Sequence, residues 1–495
     1  MTTVSVVATS PDIGSMSNTS VLNGQSFSAG ELPVGNGVQI DVLFHDVSNR
    51  LVGVGEAPTL VDIKGDQTTT LTIPVRRPFV YASSGSKLYT FDPTLDPRDA
   101  KFQGTLSGLT SPQLAVSVGG ARLVVASMNQ LQIIDTATHM VMGSPIAVPG
   151  MVHDAAPVPG SNRIAVGHSA GISIVDLDSM TVANGAGPSV DKITVGPTTD
   201  GHLVAYGLVG RVAPPAGPVE PCTGTSSIIS VDVDTPTAAT PMALPQAISD
   251  LAASPDSAML FVTLPCSGKV SRLDGTTFTD MSTLERAAIL TVAGERIWAA
   301  GTHASVPSCS NAAGNPTACT PTAMADCSAT GTTIDWVTMG GHLIVQSIPV
   351  GGGTPISVDV PEPRETMVSS DDPARQHAQV LRTLAMTPVD LVALPGGQYV
   401  GLVTTNTYFI TALVDQLSGQ MILPCLKATT GDWQLMDMAS STVSERVRTQ
   451  CALTIGTRPP STVFPNWECE AAPDGQKPTM GEFTPISVGA LFGAR

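Results

Sequence analysis

Aromatic residues make up only 4% of this chain and charged residues only 13%. The little charge present has the wrong sign for nucleic acid. Lys and Arg number 24 against 41 Asp and Glu, and the formal net charge of −17 repels phosphate backbones. No apolar run reaches the roughly 18 residues of a helical membrane span. H-E-x-x-H, a Walker loop and a G-x-G-x-x-G opening a helix are all missing. Cysteine is absent before Cys222, and no pair is spaced C-x-x-C, which removes support for zinc ribbons and thioredoxin-like centres. Met1-Thr2-Thr3-Val4 runs straight into strand-like sequence, so no leader is expected at this start.

What is abundant is turn chemistry. Gly 47 and Pro 40 in 495 residues suit many short strands joined by tight turns. Hydrophobic residues, at 42%, suffice for a large core and argue against wholesale disorder. The eight cysteines, Cys222, Cys266, Cys309, Cys319, Cys327, Cys425, Cys451 and Cys469, lie among Pro, Gly, Ser, Thr and Asn. An even count in loop sequence implies disulfides and an oxidising compartment, extracellular or on the outer cell surface. On that expectation a native leader has been removed, and a lipid-anchoring cysteine could have gone with it.

Residues 1–76 read as a small β domain with strands at Val4–Ala8, Val38–Phe44, Leu51–Gly55, Thr59–Ile63 and Thr68–Val75. An immunoglobulin-like sandwich suits this length and strand density. Arg76-Arg77-Pro78 marks the junction, where proline blocks continuation of a ladder.

Residues 77–495 carry a repeat. Alternating apolar runs end at Asp92, Asp135, Asp176, Asp232, Asp274, Asp335 and Asp415, each followed by a small polar turn. The intervals Asp92–Asp135, Asp135–Asp176 and Asp232–Asp274 are 43, 41 and 42 residues, near the roughly 40–45 of a four-stranded propeller blade. Each unit reads as strands a, b, c and d, with Gly, Pro, Asn or Asp at the a–b turn and Asp closing strand c. Such an Asp accepts hydrogen bonds from the turn that follows it, so turn formation explains the ladder better than metal binding does. The first unit lacks strand a, which Pro485–Phe492 could supply to close the ring.

Ile134-Asp135-Thr136-Ala137-Thr138, and Ser254-Pro255-Asp256 followed by Met259–Thr263, resemble the YVTN-type repeat of surface-layer and lactonase-like proteins. That resemblance covers about residues 78–448 and implies a seven-bladed β-propeller. The expected fold is therefore all-β: an N-terminal immunoglobulin-like β-sandwich followed by a seven-bladed β-propeller with long loop insertions on one face.

The insertions are expected at 211–225 and 302–330 between strands b and c, at 351–388 between units, and at 425–484 after the last strand d. Alternation of strand direction sends b–c and d–a connections to one face and a–b and c–d turns to the other. All eight cysteines fall on the first of these faces. Cys222 and Cys266 sit in b–c loops of adjacent units and could bridge them. Cys425 with Cys451 would close a compact excursion. Asp371–Arg382 reads as a helix, with Asp372 as N-cap and Pro373 at the first helical position.

Candidate contact residues on the insertion face are His153, Asp154, His303, Arg375 and His377. For His153 and His303 a structural role is the stronger reading. Spacing identifies no acid–base pair. The expected function is a secreted or cell-surface, non-catalytic module that binds a protein or glycan and needs no cofactor. Two alternatives stand beside it. One is a lactonase-like or other propeller hydrolase holding a divalent cation such as Ca²⁺ in the central channel; the other is a structural subunit of an extracellular layer or appendage. Catalytic residues and oligomeric state are not assigned by the sequence.

Overall fold

The fold was obtained as a computed structural model. It describes most of residues 3–303 and 342–360 and, beyond these, strand segments within 308–338, 364–435 and 487–494. The described residues are all-β and contain no helix.

The N-terminal part pairs β1 (Thr3–Ser10), β2 (Gly14–Val21), β3 (Gly35–His45), β4 (Leu51–Glu56) and β5 (Val61–Ile63) as an antiparallel sheet ordered β2-β1-β3-β4, with β5 against β3. Burial alternates strictly along β1, so one face packs on Val38, Ile40 and Ala57 and the other is wet. Two expectations shift here. Residues 68–73 form no strand, and β2 is a strand that its apolar pattern did not announce. The expected junction at residue 76 falls inside β6 (Val75–Ser84), which pairs with β4 through Val75 and Arg76. Pro78 is tolerated because β6 meets its other neighbour, β7 (Lys87–Phe91), only from Val80 onward.

Four-stranded antiparallel sheets follow in chain order. After β8 (Gly104–Leu106) come β9 (Leu114–Val118), β10 (Arg122–Ser127), β11 (Gln130–Asp135) and β12 (Met140–Ala147). Next are β13 (Val152–Pro157), β14 (Arg163–His168), β15 (Gly171–Asp176) and β16 (Thr181–Ala186). The next sheet holds β17 (Lys192–Pro197), β18 (Leu203–Val209), β19 (Ser227–Asp232) and β20 (Met242–Ala243). Then come β21 (Asp250–Ala253), β22 (Leu260–Leu264), β23 (Lys269–Asp274) and β24 (Thr277–Thr283). After these, β25 (Ala287–Ala293) and β26 (Arg296–His303) are followed by an excursion containing β27 (Ser308–Asn311), β28 (Pro316–Thr317) and β29 (Ile334–Thr338), a three-stranded sheet of its own. The parent sheet resumes with β30 (His342–Pro349) and β31 (Ile356–Val360).

A hairpin of β32 (Arg364–Met367) and β33 (Val380–Thr383) precedes β34 (Pro388–Ala393), β35 (Tyr399–Thr404), β36 (Tyr408–Val414), β37 (Met421–Ile422), β38 (Cys425–Thr429) and β39 (Asp432–Leu435). Last, β40 (Ser487–Ala494) returns to pair with β6, supplying the inner strand that the first unit lacks.

Inner strands touch in the cyclic order β9, β13, β17, β21, β25, β34, β40 and back to β9. Core packing follows the same order. One cluster joins Ile133 and Leu131 to Ile164 and Val175, the next joins Ile172 and Ile174 to Ile193 and Ile229, and a third joins Leu208 and Ile228 to Leu251 and Val262. The sheets of β13, β17 and β21 are thus buried on both faces by their neighbours, which is why their strands b and c read as apolar runs such as Ile172-Ser173-Ile174-Val175. The architecture is propeller-like.

Two expectations about the β25 sheet are corrected. Asp335 lies in β29, paired with β27, and does not close strand c; that strand is β30, which ends in Ile348-Pro349 without an Asp. Gly351-Gly352-Gly353 therefore makes the c–d turn, with φ of 86° and 140° at Gly352 and Gly353, and the excursion expected at 351–388 begins only after Val360. Val380, Leu381 and Arg382 belong to strand β33, not to a helix, while 371–379 lie outside the described residues. The excursion expected from Cys425 opens with β38, which pairs with β36.

Candidate functional site in the central channel

At Asp135, Asp176 and Asp232 the ladder behaves as expected. Asp135 Oδ1 accepts from the Thr138 N–H at 2.8 Å, Asp176 Oδ1 from Ser179 N–H at 2.8 Å, and Asp232 Oδ1 from Thr235 N–H at 2.8 Å. Those backbone hydrogen bonds hold the Asp176 and Asp232 carboxyls below the usual range. A second Asp two residues on does different work. Asp178 accepts from Arg122 Nη2 at 2.6 Å, and Asp234 from Arg163 Nη1 at 2.7 Å. Each pair ties one sheet to the next. Asp92 and Asp415 lie outside the described residues.

The opposite face differs. Inner strands enter there through a β-bulge. Register shifts between Val152 and Asp154, Ala287 and Ile289, and Pro388 and Asp390. The same entry recurs at β17 and β21, where the Asp191 and Ser249 N–H groups donate to the carbonyls of Leu208 and Thr263, the residues opposite Lys192 and Asp250. A bulge bends the strand and re-aims the side chain after it. Five inner strands thereby present Asp154, Lys192, Asp250, Ile289 and Asp390 at corresponding positions around the channel.

Two of these Asp residues fasten adjacent sheets. Asp154 Oδ2 accepts from Ile193 N–H at 2.9 Å, and Asp250 Oδ2 from Leu290 N–H at 3.0 Å. Both acceptors reach the backbone of the next inner strand, one residue past its own corresponding position. Asp390 Oδ1 instead takes its neighbour Leu391 N–H at 3.0 Å. Lys192 Nζ lies 3.8 Å from Asp154 Oδ2, with side-chain exposures of 17% and 12%.

Burial raises the Asp154 carboxyl, although Lys192 and the Ile193 N–H pull it back. Burial also lifts Asp390 to about 7, against the pull of Lys192 and with the repulsion of Asp154 and Asp250. For Lys192 burial works downward, but Asp154, Asp250 and Asp390 together hold the ammonium above its ordinary value. The channel wall is thus a mutually neutralising cluster with Lys192 as its resident cation.

Around it, Arg211 Nε donates to Ser249 O at 2.7 Å and its N–H to Asp191 Oδ2 at 2.8 Å, which seats the start of the 210–226 loop. Ser249 Oγ spans to Ala287 O at 2.7 Å. His153 is half-buried, and its Nδ1 lies 2.9 Å from Val190 O; a carbonyl only accepts, so Nδ1 carries the proton. His168 Nδ1 accepts from Ala170 N–H, leaving Nε2–H to donate to Ser173 Oγ at 2.7 Å. Both rings are fixed by these hydrogen bonds. His303 ends β26 opposite His342, while Arg375 and His377 lie outside the described residues.

Cys222 and Cys266 form a disulfide between the b–c loops of the β17 and β21 sheets, with Cα atoms 5.1 Å apart. Cys309 and Cys425 are on strands β27 and β38, and Cys319, Cys327, Cys451 and Cys469 lie outside the described residues. Among the described residues no group of three or more His, Cys, Asp or Glu is placed to hold a metal ion, and no helix is long and apolar enough to cross a membrane.

Sequence reasoning placed Asp154 on this face but missed Lys192, Asp250 and Asp390. The signal was present: aligning the units one residue ahead of each inner apolar run stacks Asp154, Asp250 and Asp390.

The fold and channel define a propeller-like, all-β protein. No family model matches the chain, and no curated protein matches it. Among solved structures it is similar to Kuenenia stuttgartiensis hydrazine synthase, at 13% identity over 80% of this chain and 88% of that one, with a TM-score of 0.32. A structure of U3-55K is similar at 11% identity over 54% of this chain and 89% of that one, also with a TM-score of 0.32. Likeness this distant carries no argument for activity, ligand or partner.

Proposed function

We propose that the chain is a secreted or cell-surface protein that binds a protein or glycan through its insertion-bearing face. In this reading it is a seven-bladed propeller of the YVTN type with an immunoglobulin-like N-terminal domain. The observation that carries it is one-sidedness. The 210–226 loop, the 304–341 excursion with its own small sheet, and the 361–387 connection all leave from b–c or d–a connections, and the Cys222–Cys266 disulfide clasps two loops on that side. Variable loops on a rigid scaffold are where recognition concentrates. The disulfide also supports an oxidising compartment.

The test is a glycan array and a panel of surface proteins probed with the intact chain and with a variant whose 304–341 excursion is replaced by a short Gly-Ser turn. Loss of a binding signal with an unchanged melting curve is the expected result. Signal that survives this replacement and a matching one at 211–225 would place recognition elsewhere.

A second reading, a lactonase-like or other propeller hydrolase with a divalent cation in the channel, draws on the convergence of Asp154, Asp250 and Asp390. Lys192 speaks against it, because its ammonium already supplies the positive charge that these carboxylates need. Stoichiometric calcium, magnesium or zinc in the purified protein would reverse that preference.

A further inference from the structure

The first sheet is the seam of the ring. It takes β6 and β7 from early in the chain and β40 from its end, and β40 finishes with Ala494 opposite Arg76. Inner strand β9 stands between this sheet and the β13 sheet, so the first and third sheets are not neighbours. The N-terminal sheet nevertheless touches both.

One attachment is a strand pair. Val54 and Gly55 of β4 lie opposite Arg76 and Val75, the residues with which β6 begins. The other attachment is a side chain. Leu60 sits on a short connection whose two ends are both tied to β3: the Ala57 N–H donates to Ile40 O at 2.8 Å, and Val61 lies opposite Val38. Beside it, the Gly37 N–H donates to Asp62 Oδ1 at 3.0 Å. From there Leu60 reaches Gly160, in the a–b turn between β13 and β14. A Cβ on Gly160 would lie 2.1, 2.3 and 2.9 Å from Leu60 Cγ, Cδ2 and Cδ1, the closest such approach at any described glycine. The turn itself does not demand this contact. Gly201 and Gly294, in the a–b turns of the β17 and β25 sheets, share the positive φ of Gly160, yet a Cβ on either would meet nothing within 4 Å. Leu60 stays 39% exposed, so the contact is shallow.

We infer that the N-terminal sheet is a strap across the seam of the ring. Fixed to the first sheet by β4 and latched onto the third by Leu60 on Gly160, it holds the closing β6–β40 pair to a sheet two places away. A closed ring opens most readily where its ends are joined by pairing alone, and β40 is held to β6 in that way. The strap spans that place from outside. The latch needs Gly160, because any side chain there would occupy the space of Leu60. It holds because Leu60 shields part of its apolar surface against the turn. Its shallowness makes it the point at which the strap releases first.

Two measurements on the full chain test the strap. With Leu60→Cys and Gly160→Cys together, mild oxidation should join the two introduced thiols in most molecules, seen as a linked peptide pair by mass spectrometry, because side chains at these positions touch. Hydrogen exchange then asks whether the latch holds the seam. Leu60→Ser and Gly160→Ala should each speed exchange in β6 and β40 about tenfold or more and leave β22 and β23 unchanged. Gly201→Ala is the control: it carries the same kind of backbone strain in an open turn and should leave β6 and β40 as they are. Absence of the link overturns the inference. So does exchange in β6 and β40 that ignores both latch variants, or that Gly201→Ala speeds equally.

Discussion

The two faces of this protein use the same residue for opposite purposes. On the ladder face, Asp176 and Asp232 are half-buried at strand ends, hold their turns through backbone N–H groups, and titrate low. On the channel face, Asp154 and Asp390 are desolvated and titrate high, and the cluster is held by Lys192. Only place in the fold separates them.

 

Carboxylates that close turns are expected to tolerate change better than carboxylates that fasten inner strands. Acidity read from composition hides that difference.

The contrast can be broken most severely at Asp154. Asp154→Ala leaves the Ile193 N–H without its acceptor and Lys192 without its nearest anion. The expected loss is about 2–4 kcal/mol in denaturant unfolding. Next comes the disulfide. Cys222→Ser with Cys266→Ser, or reduction, should cost up to about 2–4 kcal/mol and make the melting temperature of the unsubstituted chain sensitive to reductant.

A subtler probe uses pH. The folded Asp390 carboxyl is raised from 3.8 to about 7, so its contribution to stability is complete below the unfolded value and is lost as pH rises through about 7. Asp390→Asn should therefore stabilise the protein by about 1 kcal/mol at pH 8 and by less at pH 5. An equal gain at both pH values would deny the raised carboxyl. The turn residues predict the reverse sense: stability from the lowered Asp176 and Asp232 is present above the usual carboxylate range and fades as acid protonates them. Carbon-13 titration of the carboxyls should show the two groups separately. The smallest effect is expected at the exposed ties. Asp234→Ala should change stability by about 0–1 kcal/mol, and salt should erase the difference.

Much of the scaffold was legible because it is local. Strands b and c are apolar runs, the Asp at the end of strand c sits beside the turn it serves, and Cys222 and Cys266 fall in loops that the repeat itself brings together. The missing inner strand of the first unit likewise pointed to the C-terminal run that pairs with β6. Legibility failed where pairing, not pattern, decides. β2 alternates Ser, Asn and Thr with little apolar signal and becomes a strand by lying against β1. Ile334–Thr338 carries the apolar run and the Asp of a strand c, yet pairs inside its own excursion. The channel cluster was hidden for a third reason. Asp154, Lys192, Asp250 and Asp390 are neighbours only because four bulged strand entries meet around one axis.

The pairing of β40 with β6 joins segments about 400 residues apart. During synthesis the ribosome releases β6 long before β40 exists, so its partner edge stays open while every intervening sheet is made. The ring cannot close until β40 has been made. A stalled or truncated chain would expose that edge together with the inner flanks of β9 and β34, which marks the nascent protein, more than the finished one, as the form that needs a chaperone.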